Sequence, residues 1–145
     1  MAEPFAEQDW IADLASKERE RRAMIDHFQA AAHVFIDVLV TALAGDAEKY
    51  QREFPGSRVL ISPDKETGSI TVTCSAYHPA TKATIQMQSE NQHVSCSYQD
   101  TGRSRDWEET LQVSSLGIHS MGVSPEYTAT QLSKRVLKPI LFPAL

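Results

Sequence analysis

The sequence predicts an α+β fold: a helical N-terminal arm, a five-stranded antiparallel sheet, and a closing helix. Three observations carry this. Apolar residues recur at steps of three and four before Phe54-Pro55-Gly56, and they alternate in twos from Ser57 to about Leu116. A second helical pattern follows at the C-terminal end. Helices and strands come in separate runs, so the βαβ alternation of a parallel sheet is missing. At 145 residues the chain fits one domain, divided into an arm over 1–54, a sheet over 57–116 and a helix over 124–138.

The arm begins with Trp10, Ile11 and Leu14, and Met24, Ile25, Phe28, Ala32, Phe35, Leu39 and Leu43 continue the stripe. Between these groups lies Lys17-Glu18-Arg19-Glu20-Arg21-Arg22, charged on every face. Such a stretch suits a solvated helix with pairs such as Glu18–Arg21 and Glu18–Arg22. Gly45-Asp46 supplies a stop followed by an N-cap, and a short helix over about 47–53 ends before Pro55. A first helix over residues 6–44 is roughly 58 Å long. A globule of this size is about 40 Å across. The helix therefore breaks near 15–22 and folds back, or it projects and meets a second subunit. Residues 30–43 are apolar nearly all round, which calls for cover on more than one side.

The strands are expected at 58–62, 69–77, 82–89, 92–99 and 107–115, joined as a meander by short loops. A turn centred on Glu90-Asn91 sets Met87 opposite Val94 and Ile85 opposite Cys96. Val59, Ile61, Ile70, Val72, Cys74, Leu111 and Val113 then share their face, and a Ser/Thr/Gln-rich face lies opposite. Cys74 and Cys96 fall about 9–10 Å apart across an intervening strand. That is too far for a disulfide, so both are expected as reduced thiols. The last helix has Ser124 as N-cap, Pro125 at its first position, and Pro139 as its stop. The apolar tail Ile140-Leu141-Phe142-Pro143-Ala144-Leu145 is expected to dock on the core or on a neighbour.

The net charge is −5. Residues 1–57 hold 6 Lys/Arg against 11 Asp/Glu, and residues 58–145 hold 8 against 8. An acidic arm argues against nucleic acid and anionic membranes as partners. The N-terminus is acidic and reads as no signal peptide, and residues 30–44 fall short of the roughly 20 apolar residues of a bilayer span. A cytoplasmic protein is expected.

No residue pattern announces catalysis. His27 and His33 are six apart, His78 and His93 lie elsewhere, and the cysteines lack C-x-x-C spacing, so neither a metal nor another cofactor is expected. Neither G-x-S-x-G nor a glycine-rich phosphate loop occurs. The Arg103 and Arg105 loop is balanced by neighbouring acids. His119 and Ser120, flanked by Gly117 and Gly122, mark where a small-molecule pocket or an enzyme site would form between sheet and helices. The favoured function is instead a non-enzymatic protein-interaction or adaptor module that forms a homodimer through its N-terminal helix. Phe28, Phe35, Ile36, Leu39 and Leu43 are its expected interface.

Overall fold

The computed structural model describes residues 3–75, 79–101 and 105–145, with side chains in the first helix from Asp9 onward. His78 and Arg103 lie outside the described residues. The architecture is α+β, with element order α1 (Glu3–Glu53), β1 (Arg58–Asp64), β2 (Ser69–Ser75), β3 (Thr81–Gln88), β4 (His93–Gln99), β5 (Trp107–Thr110), β6 (Gln112–Ser114), β7 (Gly117–His119) and α2 (Pro125–Leu141).

β1 to β5 form one antiparallel meander in sequence order. Met87 lies opposite Val94 and Ile85 opposite Cys96, in the register the alternation demands. Ile70, Val72, Cys74, Ala83, Ile85, Met87, Val94 and Cys96 are all buried on one face. Thr71, Thr73, Thr84, Gln86, Gln88 and Ser95 stand half-buried on the other. Both cysteines are free thiols. β3 lies between them, because Cys74 pairs with Thr81 and Cys96 with Ile85.

The fifth strand departs from expectation. It leaves the sheet after Thr110, and residues 112–114 pair with β7 in a separate two-stranded ribbon. The break lets Leu111 drop into the core at 1% exposure. Its N–H still donates to the Gln92 carbonyl at 2.8 Å, so the crossing leaves that backbone group satisfied.

α1 is a single helix of 51 residues, roughly 76 Å long. Gly45 does not end it. Ala47 and Tyr50 are buried and extend the line of Leu39 and Leu43 for two more turns. Their burial outweighs the cost of one helical glycine, about 1 kcal/mol. The helix does not break at 17–22 either. Arg21 and Arg22 both donate to Glu18, at 3.2 and 3.1 Å. No side chain from Asp9 to His27 is buried, and Phe28 is the first that is. The segment from Glu3 to His27, roughly 38 Å of helix, therefore projects beyond the globule.

α1 also contains an 18-residue window of mean hydropathy 1.6, long and apolar enough by composition to span a bilayer. This corrects the expectation that its apolar stretch is too short. About a third of that window is buried within the fold.

α2 runs through Pro139 rather than stopping before it. A proline lacks the N–H that would bond the carbonyl four residues back, here that of Arg135. The Tyr98 hydroxyl donates to that carbonyl instead, at 3.0 Å. The buried Thr81 hydroxyl donates to the Ile140 carbonyl at 2.8 Å and ties the end of α2 to β3. Ile140 and Leu141 are buried, but Phe142 is partly exposed and Leu145 is 91% exposed, so only the start of the tail docks.

Candidate functional site

Phe28, Phe35, Ile36, Leu39 and Leu43, the expected interface, all point into this chain's own core at 0–2% exposure. One sheet face, the β6–β7 ribbon and α2 together cover the helix on the sides that periodicity alone left open. At that burial they offer no exposed surface on this chain. The projection carries a group of uncovered apolar residues, Trp10, Ile11, Leu14 and Met24, each 53–61% exposed, while others such as Leu116, Met121 and Tyr127 are scattered over the globule. Trp10 and Leu14 are four apart, and Ile11 and Leu14 three apart, so they share one face of the helix. Four acids, Glu3, Glu7, Asp9 and Asp13, precede the first base, Lys17.

His119 and Ser120 follow the β6–β7 hairpin. Gly117 and Gly122 adopt φ of +112° and +75°, left-handed values that serve the turns on either side. His119 Nδ1–H donates to the Ser120 carbonyl at 2.8 Å, and Nε2 is buried without a hydrogen-bond partner among the described residues. The Ser120 hydroxyl donates to Glu109 at 3.1 Å, and its backbone N–H donates to the Thr128 hydroxyl at 3.0 Å.

That serine belongs to a larger brace. Glu109 accepts from Arg135 at 3.5 Å, and the Arg135 guanidinium lies 4.1 Å from the Trp107 ring centroid. The Trp107 indole N–H donates to the Tyr98 hydroxyl at 2.8 Å. These contacts hold α2 against the sheet edge and engage the hydroxyl expected to meet a ligand.

The cysteines are poorly set for nucleophilic chemistry. Burial pushes the Cys96 thiol up to about 11, and burial raises that of Cys74 too. A reactive cysteine needs the opposite shift, toward thiolate. Among the described residues, no group of three or more His, Cys, Asp or Glu side chains is placed to hold a metal ion.

A concavity lies elsewhere, along the seam between the C-terminal end of α1 and α2. It is a groove of about 610 Å³. Its apolar floor is an aromatic cluster of Tyr50, Phe54 and Phe142, with ring centroids 4.9–6.1 Å apart, joined by Leu137 and Leu141. Lys49, Lys134 and Lys138 line it together with Asp46 and Glu53. Asp46 already accepts a hydrogen bond from the buried Ser133 hydroxyl at 2.7 Å. The three lysines form no ion pair among the described residues. His119 is not among the lining residues.

Sequence reasoning missed this groove because it joins residues 46–54 to 130–142. A partial signal was present, since Tyr50, Phe54 and Phe142 are large aromatics left over from the core pattern. No known family model, curated protein or solved structure matches the chain.

Proposed function

We propose that this protein is a homodimeric protein-interaction module of the cytoplasm, joined through the projecting N-terminal half of α1. The observation that carries the reading is the exposure of Trp10, Ile11, Leu14 and Met24 on a helix that outruns its own globule. An isolated helix gains little stability from propensity alone, and its apolar face gains from cover. The internal bonding of Ser120 and the protonated, buried thiols favour a binding role over catalysis. Thiols that stay unpaired also suit a reducing compartment.

The test is absolute mass by light scattering on a size-exclusion column, at about 10 μM and about 1 μM. The expected mass is about twice 16.1 kDa. Ile11→Asp/Leu14→Asp should run as a folded monomer. A wild-type monomer at both concentrations would sink the proposal.

A further inference from the structure

Two features at opposite ends of α1 invite a partner: its acidic, apolar start and the groove beside its far end, lined by three lysines and two acids. We infer that they fit each other across a dimer, the first turns of one copy's α1 docking in the α1–α2 groove of a second copy. The inference rests on the reading of the arm as a dimerisation element and names the surface that receives it.

The chemistry matches on both counts. Trp10, Ile11 and Leu14 form a short apolar face at helix-in-groove spacing. The groove supplies a floor of Tyr50, Phe54 and Phe142, which suits an indole, since aromatic pairs add to simple area burial. Around the arm's apolar face stand Asp9 and Asp13, both exposed. Lys49, Lys134 and Lys138 line the groove without ion-pair partners among the described residues, against Asp46, which is bonded to Ser133, and Glu53. Opposite charges at the rim favour encounter and fix orientation. The groove follows α2 from Thr130 to Phe142, roughly 18 Å, which accepts about three turns of helix.

Length decides whose arm it is. Leu14 and Tyr50 stand on the same unbroken helix, roughly 54 Å apart, so a chain cannot place its arm in its own groove. A second copy can, and reciprocal exchange gives a closed two-fold dimer. Pairing two arms with each other would cover Trp10 but leave the groove open. It would also set the charged stretch Lys17–Arg22 in the seam, where desolvation is costly.

Charge exchange tests this on the full chain. Lys134→Glu/Lys138→Glu reverses the groove and Asp9→Lys/Asp13→Lys reverses the arm. All four sites are exposed, and circular dichroism melting confirms that each variant folds. Each variant alone should dimerise at least tenfold more weakly than wild type. An equimolar mixture of the two should recover the dimer mass, because both contacts are again complementary. A groove variant that dimerises with wild-type strength would overturn the inference and leave the groove to another occupant, such as a small apolar anion. If Ile11→Asp/Leu14→Asp is monomeric in that same series, dimerisation through the arm stands and only its docking place fails. A monomeric wild type would remove both.

Discussion

Leu39→Ala separates a core residue from an interface residue. Leu39 is fully buried at 0% exposure, on the α1 face shared with Phe35, Ile36 and Leu43. Truncating such a leucine removes its transfer free energy and leaves a cavity, together about 2–5 kcal/mol. Leu39 belongs to a buried cluster that also takes in residues of the sheet and of α2. A cost near the middle of the range, about 3 kcal/mol, follows. For a chain of this size each 1 kcal/mol lowers the melting temperature by about 2–4 °C, so a fall of about 6–12 °C is expected.

Urea unfolding followed by tryptophan fluorescence gives the free energy. Trp107 is half-buried against Tyr98 and reports loss of the sheet, and a Trp10→Phe background keeps the signal to that residue. The mass of the folded variant should equal that of wild type. Unchanged stability with a reduced mass would refute the reasoning, because it would make Leu39 a contact between copies rather than part of one core.

Gly45→Ala should raise stability by about 1 kcal/mol in the same urea assay, since Gly45 is exposed within a helix and an added Cβ meets nothing within 4 Å; a loss would mean that the glycine ends or bends α1. Thr81→Val should cost about 1 kcal/mol by removing the buried hydroxyl that donates to the Ile140 carbonyl, and amide exchange should quicken in the last turn of α2; unchanged exchange there would count against the tie. Stability should fall in alkali, because the Cys96 thiol is raised from an ordinary value near 9 to about 11 by burial. A raised acid group gives its full contribution below the unfolded value and loses it as pH climbs through the folded one. The slope is at most about 1.4 kcal/mol per pH unit between those values. Cys96→Ala should flatten this dependence, and a slope unchanged by that substitution would contradict the assignment.

The sheet was the most legible part of the chain. Alternation in Ile70, Val72 and Cys74 and again in Ile85 and Met87 allows one register only, since a slip of one residue would turn every apolar side chain to the wet face. Local punctuation was less reliable. Gly45 reads as a stop and Pro139 as another, yet Tyr50 draws α1 past the first and the Tyr98 hydroxyl carries α2 past the second. Both are tertiary effects on residues whose local preference is clear. The split of the fifth strand at Leu111 has the same origin, because the core takes the leucine at the expense of a continuous ladder.

The candidate site was legible only in part. Counting residues leaves two outcomes for α1, a break near 15–22 or a helix that outruns its globule, and it does not say which half is covered. Phe28 to Leu43 form the more apolar segment, and the fold uses it up internally. Trp10, Ile11 and Leu14 open the same stripe, but the apolar density that draws the eye to an interface lies further along. Ser120 looked available to a ligand until Glu109 and Thr128 were placed beside it.

An unbroken α1 also acts as a ruler with a fixed phase. One residue inserted between Arg22 and Phe28 would advance the tip by about 1.5 Å and swing Trp10 and Leu14 through about 100° relative to the core. Seven inserted residues would lengthen the reach by about 10 Å and turn the tip by only about 20°. Changes in the length of this segment should therefore be tolerated in whole heptads and rejected singly. The spacing of any assembly built on α1 is written directly in its residue count.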